Sequence, residues 1–380
     1  MKRVSWALAL LLFLLGLGRA PAAYASENDI YQQQMEESGA DELFGTLPEE
    51  TRALLQELGV SGISPDAAYQ LSPTALLQLI GHLIRQSAGE IWKTAALLFG
   101  ILMLSALLRT VQPNSDGTES ARVFYAAEIL TCAILLLEPL GTAMEQASAT
   151  LDGISAFQLG FVPVFAAITA ASGQTVSAGK YAALMVAASQ GSSVVLSGII
   201  FPVVRISMAL CVISAAAPGI ALDGVIQWVR KCLNWLLGLL MTVFLAVLAL
   251  QGTVGASADS LADKAAQFVI GTTVPVVGSA LSQAYSSVRG YMQLLKSTVG
   301  AFGILATAVL VLPQLLRCVL WQLLLNGCGA AGELLAQPEP AGLFRRLAEL
   351  MGVLTGVLLC GCLMGVVSVG VLLALRGGSG

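Results

Sequence analysis

The sequence predicts an all-α, polytopic helical membrane protein with about eight to ten spans. Three observations predict this class. Of the 380 residues, 56% are hydrophobic and only 11% are charged, whereas a soluble domain carries roughly 25% charged residues. The mean hydropathy is +0.81, and long apolar runs recur along the chain. Finally, two stretches of the chain repeat each other in register, about 111 residues apart.

Eight landmarks indicate a duplication into two membrane repeats, residues 123–231 and 232–346. Each landmark of the second repeat follows its counterpart by 110 to 112 residues. Broken hydrophobic segments that recur in this way are typical of membrane proteins built by duplication. The pairs are Gly141 and Gly252, Thr142 and Thr253, Phe157 and Phe268, Gly160 and Gly271, Pro163 and Pro275, Tyr181 and Tyr291, Pro202 and Pro313, and Arg205 and Arg317. The predicted helix breaks or hinges are Gly160, Pro163, Pro202, Gly271, Pro275 and Pro313.

The first 25 residues have the three parts of a secretory signal peptide. Lys2 and Arg3 form a positive start, Val4–Leu17 is an apolar run, and a small-residue cleavage site ends at Ala25. The apolar run is short for a bilayer span, which needs about 20 residues. We therefore predict cleavage after Ala25 and a mature N-terminus outside the cytoplasm; the alternative is an uncleaved anchor.

Residues 26–90 are predicted to form a small, acidic, helical extracytoplasmic domain. They carry eleven acidic side chains against two basic ones. Pro48 lies at the start of a predicted helix over Glu49–Leu58, which Gly59 ends. Pro73 then begins an amphipathic helix, which lies along the membrane surface or packs on the spans.

The apolar runs that follow this domain predict the spans. Residues 91–122 hold the first transmembrane helix and a cytoplasmic loop, and residues 347–380 hold the C-terminal transmembrane helix and a tail. The runs around Pro163 and Pro275 have only about 14 to 16 residues, which is short for a full crossing. Either run can therefore be a re-entrant segment buried in protein.

Clusters of basic residues predict the orientation of the repeats. Arg122 precedes the first repeat, Arg230 and Lys231 precede the second, and Arg345 and Arg346 follow it. Basic residues concentrate on the cytoplasmic side of membrane proteins, so each repeat should cross an even number of times. The simplest arrangement has four spans in each of two parallel repeats, with the mature N-terminus and the C-terminus outside.

Three charged side chains inside apolar runs are candidates for a buried polar pathway. A charge at the centre of a membrane helix costs about 2.5–3.5 kcal/mol on insertion scales. Glu128 is therefore either part of an ion or proton relay or a carboxyl bonded to a hydroxyl of a neighbouring helix. Arg205 and Arg317 follow symmetry-related prolines, and each either lines a polar pathway or anchors a helix at the interface.

The residue inventory gives no support for an enzyme. The chain contains one histidine, so a multi-histidine metal site is excluded, and we find no nucleotide-binding or nucleophile motif. Cys360 and Cys362 are better explained as small residues in a packed helix than as a metal pair. We predict no catalytic residues, no metal, no cofactor and no nucleic-acid partner; the lipid bilayer is the one partner that composition implies.

The residues that point most specifically to a known protein family lie between about 251 and 303. They are Gln251, Gly252, Thr253, Phe268, Lys296, Thr298, Val299 and Gly300. In these residues, and in its order of signal peptide, helical extracytoplasmic piece and polytopic body, the chain resembles the stage III sporulation protein AE family. The resemblance covers nearly all of the mature chain.

The resemblance implies a channel or secretion apparatus that links mother cell and forespore and is required for endospore development. The implied location is the mother-cell membrane around the forespore, with the N-terminal domain extracytoplasmic. The implied partners are other membrane and intermembrane proteins of the same sporulation operon, including an ATPase and ring-forming proteins.

A second function is compatible with the same residues. Duplicated halves, proline-interrupted segments and an intramembrane carboxyl are also typical of a transporter. In that case the protein is a permease that moves a small solute or ion along a path between the two repeats.

Overall fold

The protein is a bundle of long α-helices, so the predicted all-α fold is confirmed. The computed structural model describes residues 35–64, 72–111, 119–172, 174–216, 222–273 and 278–374, and these contain no strand. The predicted signal peptide lies outside them. In the lipid core no water is available to bond the backbone N–H and C=O groups, so these groups must bond one another within a helix. Helices therefore account for nearly the whole apolar body.

Eight α-helices are described, together with a 3-10 turn over Asp41–Phe44 and a π-helical segment over Leu196–Ile200. The helices are α1 Glu49–Glu57, α2 Pro73–Val111, α3 Glu119–Ala171, α4 Thr175–Val195, α5 Phe201–Ala216, α6 Asp223–Thr273, α7 Gly278–Leu334 and α8 Pro338–Ala374.

Six helices among the described residues are long and apolar enough to cross a membrane, fewer than the eight to ten spans predicted. The apolar stretches are Pro73–Leu108, Ala126–Ala171, Ala178–Ala216, Asp223–Ala249, Met292–Leu334 and Pro338–Gly370. The prediction counted apolar runs on the two sides of a proline or of a short polar segment as separate spans. The structure joins these runs into continuous helices, except for the run around Pro275, part of which lies outside the described residues. Each predicted repeat therefore contains two described helices long enough to cross the membrane instead of four. This number is still even, and the duplication itself stays a prediction.

Prolines do not interrupt the long helices in the way predicted. Pro163 lies inside α3 and Pro313 inside α7. A proline removes one backbone hydrogen bond, and membrane helices tolerate it because neighbouring groups restore the lost contact. Pro202 is the second residue of α5, and it directly follows the π-helical segment. The helical path therefore continues through this predicted break as well, but with an irregular turn before it.

The helix pair α7–α8 forms the centre of the bundle. In the most apolar windows of these two helices, 72% and 78% of the residues are buried inside the protein, against 22–44% in the other four spans. Close packing needs small residues. A Cβ atom on Gly300 would lie 2.7 Å from Cδ2 of Leu373, and one on Gly365 would lie 2.8 Å from Cγ2 of Thr307.

The N-terminal segment, residues 35–64, packs against the end of the bundle away from the α7–α8 turn. Its Phe44 ring lies 6.2 Å from the ring of Phe302 in α7. Leu43, Leu47 and Leu55 of this segment are fully buried. In contrast to the predicted boundary at residue 90, α2 runs without a break from Pro73 into the first span.

Ion pairs join the helices at the opposite end, next to the α7–α8 turn. Arg346 Nη2 lies 3.0 Å from Asp223 Oδ1 at the start of α6, and its Nη1 donates to Ser214 in α5. Arg230 pairs with Glu349. These are the basic clusters that predict a cytoplasmic side.

Candidate functional site

Two arginines from different helices meet adjacent residues of α3, and we call this set the arginine crossing. Arg205 Nη2 in α5 lies 3.9 Å from Glu145 Oε1. Arg317 Nη1 in α7 donates to Oε1 of Gln146. Glu145 is the central residue of α3. The two arginines, which the predicted repeats pair with each other, thus converge on one level of one helix, which their sequence positions did not indicate.

The two arms of the crossing differ in their surroundings. The side chains of Arg205 and Glu145 lie on the outer surface of the bundle, with 58% and 72% of their area exposed. Arg317, in contrast, is half-buried. Beside Arg317, the buried amide of Gln314 donates to the carbonyl of Ala143 at 2.6 Å. The contact between Arg317 and Gln146 therefore lies further inside the bundle than the contact between Arg205 and Glu145, and it fixes α7 against α3.

Glu128 does not belong to the arginine crossing. It lies 17 residues before Glu145 on the same helix, about 26 Å away at the α-helical rise of about 1.5 Å per residue. Its side chain is only 6% exposed, one turn before the buried Cys132. The three charged candidates therefore do not form one continuous path within the described part of the chain.

The described motif residues form a contact between α7 and the α3–α4 turn. Lys296 is 4% exposed, and its Nζ donates to Oε1 of the buried Gln174 at 2.8 Å. Val299 is fully buried, Gly300 packs on α8, and Thr298 donates to the carbonyl of Leu294. A structural role in packing explains these residues.

The remaining predicted hinge and motif residues make ordinary contacts or lie partly outside the described residues. A Cβ atom on Gly160 would lie 3.9 Å from Cγ2 of Thr46, so this glycine is in ordinary contact with the N-terminal segment. Pro275 lies outside the described residues. Four motif residues and one hinge residue lie on the backbone of α6, while their side chains are outside the described set: Gln251, Gly252, Thr253, Phe268 and Gly271.

Sequence reasoning missed the buried glutamines. Gln314, Gln174 and Gln337 are 7%, 7% and 0% exposed, and each ties one helix or turn to another. Gln337, at the α7–α8 turn, donates to the carbonyl of Leu102 in α2 at 2.9 Å. The available signal was a lone glutamine in or beside an apolar run, since such a residue needs a partner in lipid.

These contacts position helices and do not assemble a reaction centre. The described residues contain no group of three or more histidine, cysteine, aspartate or glutamate side chains that could hold a metal ion. The arginine crossing brings together cations, a carboxylate and an amide. Such a set can stabilise the bundle or pass a polar solute.

Comparison with known proteins assigns a family. The sequence model of stage III sporulation protein AE matches residues 67–375. The stage III sporulation protein AE of Bacillus subtilis (strain 168) is 24% identical over 327 residues, which cover 80% of this chain and 80% of that protein. No solved structure matches. Because the matched region is well over half of the chain, the chain belongs to the stage III sporulation protein AE family.

Proposed function

We propose that this sporulation membrane protein is an integral component of the channel that links mother cell and forespore, and that endospore development requires it. The observation that carries the proposal is the family match over residues 67–375, which includes all six apolar helical stretches, from Pro73 to Gly370. The protein acts as a non-enzymatic platform in the mother-cell membrane around the forespore.

The N-terminal segment supports a docking role on the extracytoplasmic side. Seven acidic side chains within residues 35–64 are exposed: Glu36, Glu37, Asp41, Glu42, Glu49, Glu50 and Glu57. The basic side chain among them, Arg52, is turned inward and donates to the carbonyls of Gly45 and Leu47. This surface suits basic faces on intermembrane proteins of the same operon, including ring-forming ones; the ATPase would act from the cytoplasm.

A clean deletion in the source organism tests the proposal. We expect heat-resistant spores to be lost and development to arrest after engulfment, with small forespores. A copy of the gene at another locus should restore spore formation. Normal sporulation of the deletion strain would refute the proposed role.

The docking role is tested separately in the complemented strain. Glu49→Lys with Glu50→Lys should reduce spore formation while the protein stays in the membrane at its normal amount. The matched control is Arg85→Glu, a charge reversal on an exposed residue of α2 that belongs to none of the basic clusters. If the paired reversal on the N-terminal segment has no effect, this acidic surface is not the docking site.

A transporter remains the second candidate, and the arginine crossing is the observation that favours it. Arg205 and Arg317 converge at the centre of α3. A charge at this depth in the lipid is energetically unfavourable, and intramembrane charges typically mark a functional path. Arg205→Gln and Arg317→Gln should abolish spore formation without loss of the assembled protein if a polar solute passes there. Normal spore formation in both variants would refute the transporter and leave the platform as the remaining candidate.

A further inference from the structure

One face of α3 turns three carboxylates away from the bundle. Glu138, Glu145 and Asp152 follow each other at seven-residue spacing, and all three side chains are exposed. Because seven residues make about two helical turns, they lie one above another along a single stripe about 21 Å long. The stripe falls within the apolar stretch Ala126–Ala171. An acidic stripe therefore runs along the outside of a helix that is long and apolar enough to cross a membrane.

The N-terminal segment limits where the hydrocarbon can lie on this helix. A Cβ atom on Gly160 of α3 would lie 3.9 Å from Cγ2 of Thr46, and the segment that contains Thr46 carries seven exposed acidic side chains, which belong in water. The hydrocarbon therefore begins at or before Gly160. A crossing takes about 20 residues, which reach back from Gly160 to about residue 140. Glu145 and Asp152 thus lie at the depth of the hydrocarbon.

Only one of the three carboxylates has an ion-pair partner within the described residues. Arg205 Nη2 of α5 lies 3.9 Å from Glu145 Oε1. The carboxylates of Glu138 and Asp152 form no ion pair with any described side chain. Charged side chains of membrane helices almost always pair with one another or face a protein interior or a water-filled cavity. The stripe therefore needs a cover other than lipid.

Small residues between the carboxylates leave room for a helix. Thr142, Ala149 and Ala156 are exposed on the same face. Together with the carboxylates they follow each other at alternating spacings of four and three residues. This period of about 3.5 residues is the seam along which a second helix packs. Small side chains at such a seam let two membrane helices approach closely.

A second copy of this chain does not complement the face. Copies in one membrane share their orientation, so a symmetric pair would set Glu138 against Glu138 and Asp152 against Asp152. Among the described helices, none exposes basic residues at the matching distance; on α2, for example, the exposed Arg85 and Lys93 are eight residues apart. Charge complementarity therefore favours a different protein.

We propose that this face of α3 docks a membrane helix of another protein, which carries two basic residues at the levels of Glu138 and Asp152. These levels are fourteen residues apart on an α-helix. Arg205 already neutralises Glu145, so the partner helix needs no charge between the two. The inference deepens the proposed platform role, on which it rests for the existence of membrane partners, by naming the chemistry that recognises one of them.

The test uses the full-length protein in vesicles of phosphatidylcholine, a lipid without net charge. The probe is a synthetic helix of leucine and alanine of about 24 residues, labelled with dansyl, with two lysines fourteen residues apart. Energy transfer from tryptophan to dansyl should rise with peptide and saturate. A peptide with glutamine at both lysine positions should bind at least about tenfold more weakly. No saturable binding of the basic peptide overturns the proposal.

Matched variants assign the binding to this face. Glu138→Gln with Asp152→Asn removes the two unpaired carboxylates and should abolish the saturable signal. Glu50→Gln with Glu90→Gln removes the same charge from exposed positions on α1 and α2 and should keep it. Because all four positions are exposed, neither change alters the packed core. Binding that survives in the first double variant overturns the assignment.

The oligomeric state tests the alternative cover. In analytical ultracentrifugation in detergent, the wild-type protein and the Glu138→Gln, Asp152→Asn variant should have the same mass. A wild-type dimer that this variant loses would show that a second copy covers the face, and would overturn the proposal. Neither experiment depends on sporulation. Normal sporulation of the deletion strain would refute the platform role alone, and a basic peptide that does not bind would refute the docking face alone.

Discussion

At the scale of the residue, single polar side chains set the positions of helices in an otherwise apolar body. Lys296, Gln314 and Gln337 each donate to one defined acceptor on another helix or turn. Where no water competes, a polar group that loses its partner is costly. The two arginines were singled out by their matching positions in the predicted repeats. Their partners Glu145 and Gln146 were not, because sequence spacing carries no information on which helices are neighbours.

The Lys296 contact predicts a measurable loss of stability. In Lys296→Met, the amide of Gln174, only 7% exposed, loses a charged donor at 2.8 Å. Hydrogen bonds to charged groups are worth about 1.5–3 kcal/mol, and we expect a loss of this size in unfolding experiments on the protein in detergent. Lys93→Met, at an exposed site on α2, serves as the control and should change little. Equal stability of the two variants would contradict the assigned role.

A glycine in α7 predicts a packing effect. A Cβ atom in Gly303→Ala would lie 2.5 Å from Cζ of Phe161. That ring cannot easily give way, because Phe157 and Phe165 lie 5.5 Å and 5.1 Å from it. Overpacking of this kind costs about 1–3 kcal/mol, so the melting temperature should fall.

The control for this change lies on the same helix. A Cβ atom on Gly327 would meet nothing within 4 Å, so Gly327→Ala should leave the melting temperature unchanged or raise it slightly. If both glycine variants melt at the same temperature, the close approach between α7 and α3 is not a constraint.

At the scale of the element, the helices are longer than the apolar runs that predict them. Hydropathy identifies apolar runs well, because a span must bury about 20 residues in hydrocarbon. It does not show whether two such runs form one helix, since proline removes only one hydrogen bond of many and the surrounding bundle decides whether the helix continues. For this reason α7 was counted twice, on the two sides of Pro313. The helix α3 was also counted twice, because a short polar segment separates its two apolar runs. Within the described residues, the π-helical segment directly before Pro202 is an irregularity at a predicted break.

The π-helical segment predicts an asymmetric response to deletions. A π-turn holds one residue more than an α-turn, so deleting Gly198 should convert it to α-helix and keep both flanks in register. Deleting Ile206 in α5 should instead rotate the rest of that helix by about 100° and misplace Ser214 from Asp223. We expect normal yield and a single gel-filtration peak for the first deletion, and aggregation for the second. Aggregation of both proteins would contradict the prediction.

At the scale of the whole molecule, six described helices are long and apolar enough to cross a membrane, and six crossings would place both ends of the described chain on one side of it. This parity agrees with the orientation predicted from the basic clusters, although the number of spans differs. The ion pairs of Arg346 and Arg230 lie at one end of the bundle, and the N-terminal segment lies at the other. The separation of the basic clusters from the N-terminal segment was therefore accessible from charge, whereas the packing order of the helices was not; the orientation in the membrane stays a prediction.

Reporter fusions test this topology. Alkaline phosphatase fused after Gly380 should be active, because that enzyme folds outside the cytoplasm, and a green fluorescent protein at the same place should be dark. In a chain that ends at Leu334, one crossing is lost and the two signals should exchange. A fluorescent fusion to the full-length chain would show that the number of crossings is odd or that the orientation is reversed.

The burial of α7–α8 also has a consequence for the order of synthesis. Ribosomes make this chain from its N-terminus, so the two helices that fill the centre of the bundle leave the translocation machinery last. The four spans made earlier expose more of their surface and must remain loosely assembled in lipid until the final hundred residues arrive. Quality control of this protein therefore depends on its C-terminal part, and a chain that stops before Pro338 would present an unfilled centre to membrane proteases.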